Sequence, residues 1–213
     1  METTIFSNQK ITLKDIFIPL ILIFAVITFI GIITGIFGFY GQNCAYKSSI
    51  DAILFGLVSI IIYLLYFSCF AKKRIFFYEN VKFKNLLLCI SIGVLCGTLT
   101  KILGIKGAIH LLKVPAYKII IAFLILITGA FSEEIFFRGV FLKYLADKWN
   151  VILGVILCTI LFVVCHGPYT LYGVFFRFAM GIIYALVYIK MRNIVYPSIC
   201  HFIYNAVVIF SLK

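Results

Sequence analysis

The sequence predicts an all-α protein: a polytopic transmembrane bundle of about seven helical spans with a polar chamber inside the membrane. Three observations carry that expectation. Of 213 residues, 64% are apolar and 12% charged; the mean hydropathy is +1.18; and several acidic and histidine side chains fall inside apolar runs instead of between them. A hydrocarbon layer takes roughly 20 helical residues to cross, so apolar runs repeating from Ile16 to near the last residue leave no room for a sizeable soluble domain. The chain therefore reads as one integral-membrane unit over 1–213. The same composition excludes collagen-like, disordered and disulfide-stapled classes.

The spans follow in order: Ile16 to Tyr40, Ile50 to Ala71, Asn85 to Ile105, Tyr117 to Leu145, Val151 to His166, Tyr169 to Ile189, and Ile194 to Leu212. The first is too long for the short apolar core of a cleaved leader and is read as a retained helix. Gly31, Gly35 and Gly38 on it offer a surface for close helix approach. Orientation comes from lysine and arginine in alternate loops. With the N-terminus inside, eleven flank the inner ends, among them Lys72, Lys73, Lys143 and Lys190, against five outside: Lys47, Lys106, Lys113, Lys118 and Lys213. Basic flanks are retained on the cytoplasmic side, which places the N-terminus in the cytoplasm, the C-terminus outside, and the chain in the cell membrane.

This accounts for most of the net charge of +12. Nucleic-acid binders gather basic residues on a soluble face, whereas these sit between apolar runs and complement anionic lipid; no nucleic-acid partner is expected. Seven cysteines (Cys44, Cys69, Cys89, Cys96, Cys158, Cys165 and Cys200) form no C-x-x-C pair and lie mostly within apolar runs, where cysteine behaves as a small hydrophobe. Cys165 and Cys200 each precede a histidine, but adjacent helical residues point about 100° apart, which argues against a thiol–imidazole pair.

The fourth span is the outlier. Glu133, Glu134 and Arg138 facing lipid would together cost on the order of 7 to 10 kcal/mol, so this face must look into the bundle or a wet cavity. Glu134 and Arg138, four apart, share a face and suit an intrahelical ion pair, while Glu133 lies to one side as the freer carboxylate. Of the three histidines, His110 sits beside a loop, His166 closes the fifth span and His201 lies in the seventh, with Asn205 one turn further on the same face. Each needs a partner in hydrocarbon. An inert polar triad gluing helices together is one reading of the acidic cluster. If the three spans converge, they instead form a chamber with the parts for hydrolysis: a carboxylate and an imidazole to deprotonate water, a second imidazole and an amide to hold an oxyanion.

Three motifs then resemble a known family. Glu133-Glu134-Ile135-Phe136-Phe137-Arg138-Gly139 is similar to the Glu-Glu-x-x-x-Arg signature of the CPBP family of CAAX proteases and bacteriocin-processing enzymes, also called Abi proteins. Phe162-Val163-Val164-Cys165-His166 resembles its Phe-x-x-x-His motif, and His201-Phe202-Ile203-Tyr204-Asn205, preceded by Pro197, its His-x-x-x-Asn/Asp motif. The resemblance covers 117–212, leaving 16–105 without diagnostic motifs; Cys158-Thr159 stand where members often carry serines. It implies an intramembrane endopeptidase in which Glu133 and His166 activate water, His201 and Asn205 hold the oxyanion, and Glu134 with Arg138 supports the site. The implied substrate is a small or lipid-associated peptide, in one branch a prenylated C-terminal Cys-a-a-X sequence.

No cofactor is required by that scheme. The alternative is zinc held by Glu133, His166 and His201, although the H-E-x-x-H arrangement is absent. Two other functions remain open on the residues: a non-enzymatic bacteriocin immunity or membrane scaffold protein, and a small transporter relaying protons through the acidic cluster. Arg177 either snorkels to an interface or pairs inside the chamber; Lys101 falls near a span end. Tyrosines and Trp149 at run boundaries suit an aromatic belt.

Overall fold

The computed structural model describes residues 10–36, 44–73, 76, 79–103, 109–110, 115–166 and 170–211, with backbone alone at 33–36, 44–48, 109–110 and 211. The chain is a helical membrane bundle. In order come α1 (Leu13–Ile36), α2 (Cys44–Leu65, continued by a π-helical turn Tyr66–Phe70), α3 (Phe83–Ile102) and α4 (Ala116–Glu134). A π-helical stretch, Ile135–Leu142, joins α4 without a break to α5 (Lys143–Lys148); then follow α6 (Val151–Cys165), α7 (Leu171–Met191) and α8 (Val195–Ile209).

Five of these segments are long and apolar enough to cross a membrane, and α6 and α8 are shorter apolar helices. At 15 residues each they measure about 22 Å against a hydrocarbon layer of ~30 Å. Neither is long enough by itself for a full crossing.

Local chemistry sets the ends that matter. The Asn150 side chain accepts the Leu153 amide at 2.9 Å and starts α6, and Thr170 accepts that of Gly173 at 3.3 Å and starts α7. Arg192, left-handed at φ 52°, ends α7. Asn193 then turns the chain at once into α8, accepting the Val195 amide at 3.0 Å and donating to the Glu79 carbonyl at 2.6 Å. Pro197 lies in the first turn of α8, where no amide is required.

The closest packing joins α3 to α8, with α2 against α4, α4 against α8, and α6 against α7. Small residues explain the first. A Cβ on Gly93 would lie 2.8 Å from the Cys200 carbonyl oxygen, and one on Gly97 2.8 Å from Val207. The helices touch backbone to side chain because Gly93-x-x-x-Gly97 carries nothing between them. In α1, nothing among the described residues lies within 4 Å of a Cβ on Gly31, and the side of Gly35 and all of Gly38 fall outside the described residues.

Two further differences from the sequence reading concern charge and backbone. Lys143, expected as a basic flank, is fully buried and paired to Asp147 at 2.9 Å inside the helix. Lys47, Arg74, Lys106, Lys113 and Lys213 lie outside the described side chains. Ile109–His110 pairs in parallel with Phe210–Ser211, a two-residue ladder tying the segment before α4 to the end of α8. Such irregular backbone needs partners in an apolar setting. Lys101, near the end of α3, donates to the Phe210 carbonyl beside it.

The α3–α8 contact yields a paired test. Gly93→Leu must push against backbone and is expected to destabilise the protein by about 1–3 kcal/mol, whereas Gly31→Leu should stay within about 0.5 kcal/mol of wild type. Thermal unfolding in detergent measures both.

Candidate active site

The site is assembled from four elements. Glu133 and Glu134 end α4, where the backbone widens into the π-helical stretch. Such π segments recur at functional sites because the extra residue re-aims the side chains. Gly139 within it has no side chain, which lets the Phe76 ring pack there: an added Cβ would meet that ring at 2.5 Å. His166 caps the C-terminal end of α6, His201 and Asn205 sit on α8, and one face of α7 closes the side.

Burial divides the two glutamates. Glu134 keeps none of its side-chain exposure and Glu133 keeps 35%. Glu134 Oε1 accepts from Arg138 at 2.9 Å and from His201 Nδ1 at 2.9 Å. Arg138, itself fully buried, also donates to the Gly181 carbonyl of α7 at 3.1 Å. Its guanidinium lies 4.6 Å from the Phe162 ring centre and 5.3 Å from that of Tyr184. One carboxylate thus holds α4, α7 and α8 together around a compensated charge.

Glu133 faces the other way. Its Oε2 lies 3.3 Å from His166 Nε2 and 4.0 Å from His201 Nε2. The second nitrogen of each ring fixes the tautomer. His166 Nδ1 is 2.7 Å from the Phe162 carbonyl and His201 Nδ1 is 2.9 Å from the Glu134 carboxylate; both neighbours only accept, so both Nδ1 atoms carry the proton. Both Nε2 atoms are then turned toward Glu133. The Tyr184 ring stacks on His201 at 4.7 Å and 21°, and Phe162 stands edge-on to it at 5.8 Å. Glu133, His166 and His201 border a cavity of about 460 Å³, with Asn205, Arg177, Phe162 and Tyr184 also in its wall.

Comparison with known families fits this arrangement. Residues 115–207 match the Rce1-like family of type II CAAX prenyl endopeptidases. The match agrees with the CPBP resemblance carried by the three motifs, and it leaves α1 to α3 outside. No curated protein and no solved structure matches the chain.

Within the Rce1-like region, the structure brings Glu133, Glu134, Arg138, His166 and His201 together and sets Asn205 in the same cavity wall. It does not make a metal group of the alternative zinc set. No three His, Cys, Asp or Glu side chains among the described residues are arranged to hold an ion. The 4.0 Å between Glu133 and His201 is also wide for two donors meeting one zinc at ~2.0–2.2 Å. Cys165 is exposed and does not border the cavity, and Cys200 is buried. Cys158, in place of a serine, donates to the Phe137 carbonyl at 3.0 Å, and its neighbour Thr159 packs over Gly181.

Sequence reasoning left Arg177 between interface and chamber; the fold puts it in the chamber wall. Tyr184 was missed. The spacing of Arg177, Gly181 and Tyr184 along one face of α7 was the available signal. His110 has no described side chain.

The buried network makes its own prediction. Arg138→Met leaves a carboxylate without its cation and should cost about 3–5 kcal/mol, while Glu134→Leu combined with Arg138→Met should cost less than that single change. Unfolding midpoints of the two variants decide it.

Proposed function

We propose that the protein is an intramembrane endopeptidase of the CAAX prenyl protease type, cutting a peptide bond in a small or lipid-associated peptide with water activated by Glu133 and His166. The observation that carries this reading is the convergence of Glu133 Oε2 on two imidazole Nε2 atoms, at 3.3 and 4.0 Å, in the wall of a cavity. A water between Glu133 and His166 donates one hydrogen to each, which turns its lone pair toward a substrate carbonyl in the cavity.

As the water oxygen bonds to the carbonyl carbon, one proton passes to Glu133 or His166 and the carbonyl oxygen becomes an oxyanion. Asn205 Nδ2 donates to it. His201 also holds the oxyanion once its Nε2 has taken a proton from solvent before the attack, the ring then donating through Nδ1 to Glu134 and through Nε2 to the oxyanion. Collapse breaks the C–N bond, the stored proton goes to the leaving nitrogen to give an amine, and the new carboxyl group releases the second water proton to solvent to become a carboxylate. Glu134 and Arg138 touch no substrate atom; they fix His201. We further read the N-terminus as cytoplasmic and the membrane as the cell membrane, from the lysines and arginines counted above.

The test is cleavage of farnesylated and unmodified Cys-Val-Ile-Ala peptides by purified protein in liposomes, followed by mass spectrometry. Glu133→Gln, with an unchanged unfolding midpoint, should lower kcat by about 10²–10⁴-fold. A folded variant that cuts at the wild-type rate overturns the proposal. Exhaustive chelation should leave the rate in place, and a complete loss restored by zinc alone would contradict the metal-free scheme.

A further inference from the structure

Contacts between helix ends divide the bundle into two sides. On one, the start of α1 meets the end of α2 through Asp15 and Lys73 at 2.6 Å, and the Ile11 amide reaches Asp147 of α5. The Tyr196 hydroxyl in the first turn of α8 accepts the Lys82 amide ahead of α3 at 2.6 Å, and Asn193, between α7 and α8, donates to the Glu79 carbonyl. Phe76 joins the two groups: its ring stands edge-on to Phe67 at the end of α2, and its carbonyl accepts the Ile194 amide at 2.8 Å. Lys10, Lys14, Lys72, Lys82, Lys148 and Lys190 project from this side and are exposed. Among the described side chains at the opposite helix ends, the cations are Lys118 and the half-buried Lys101.

The cavity lies toward that opposite side. Along α7, exposure falls from Thr170 through half-buried Phe176 to buried Met180 and Tyr184; along α8, which runs the other way, it rises from buried His201 to half-buried Val208 and Ile209. Its mouth is therefore framed by the end of α6, the start of α7 and the end of α8, the ends remote from the exposed lysines. Behind the floor the bundle is closed. Met191, Asn193, Ile194, Tyr196 and Phe76 are all buried and stand between Tyr184 and the basic side.

Basic helix ends are retained in the cytoplasm. We infer that the cavity opens away from the cytoplasm, so that the peptide it takes has already been carried across the membrane. The direction of the opening stands on the helix ends alone; that a peptide enters there rests on the peptidase reading. The step that must supply this substrate is then export. Both products, the carboxylate and the amine, leave on the far side of the membrane, and a peptide still in the cytoplasm meets the closed end of the bundle.

The experiment uses the full chain expressed in a bacterium and a charged maleimide that does not cross membranes, with peptide-level mass spectrometry to locate the label. Thr170→Cys, at the mouth, should react in spheroplasts and be protected in inverted vesicles, and Lys190→Cys, at the end of α7, should do the reverse. Reaction of Thr170→Cys from the cytoplasmic side, from both sides or from neither overturns the inference. Cleavage by the wild type decides the same question should Thr170→Cys fail to fold, counting only the rate that Glu133→Gln abolishes. A farnesylated Glu-Glu-Cys-Val-Ile-Ala peptide stays in the leaflet to which it is added, because its charges are unfavourable in hydrocarbon. Spheroplasts should cut it at least about tenfold faster than inverted vesicles do, and detergent should remove the difference. Equal cutting before detergent, or faster cutting by inverted vesicles, overturns the inference. No cutting even in detergent removes the peptidase reading and the exported peptide with it, while the labelling still decides the direction of the opening.

Discussion

A carboxylate sealed inside an apolar bundle has to be compensated where it sits, and Glu134 is that group. Unpaired, an ion in this setting costs several kcal/mol even after relaxation. Arg138 on its own helix and His201 on α8 both reach the same oxygen, and Arg138 passes the connection to α7 through the Gly181 carbonyl. The rings of Phe162 and Tyr184 close over the guanidinium. The positions of three helices are thus tied to a single charge.

The adjacent position then acquires a different character without any change of residue type. Consecutive helical residues diverge by about 100°, so once Glu134 is locked into the bundle Glu133 must point along the cavity. There it meets imidazoles whose orientation is already decided, His201 by Glu134 and His166 by the Phe162 carbonyl. Structure and chemistry are divided between neighbouring carboxylates. The buried Glu134 supplies rigidity, and the half-open Glu133 is the one to which the proposed mechanism gives reactivity.

Much of this was legible in the sequence, for a physical reason. Charged groups are so unfavourable in hydrocarbon that Glu133, Glu134, Arg138, His166 and His201 had to converge or leave the membrane, and helical spacing alone separated the locked glutamate from the free one. What stayed hidden depends on contacts between helices. Gly93 and Gly97 carry the tight packing, but the glycines of α1 look the same in a hydropathy profile, and no local rule says which pair faces a partner. Lys143 looked like a flank because its neutralisation by Asp147 needs the helix to continue past the apolar run. Arg177 was ambiguous because snorkelling and a cavity-facing role have one sequence signature.

The account stands on Glu133 and His166 acting on one water. A double-mutant cycle on the rate of peptide cleavage tests this directly, using Glu133→Gln, His166→Ala and the two combined, each checked for an unchanged unfolding midpoint. Groups that act as a unit are not additive in their losses, so the account predicts that the double variant is no slower than the worse single variant. Losses that multiply across the cycle would mean that the two side chains work independently, and would contradict it.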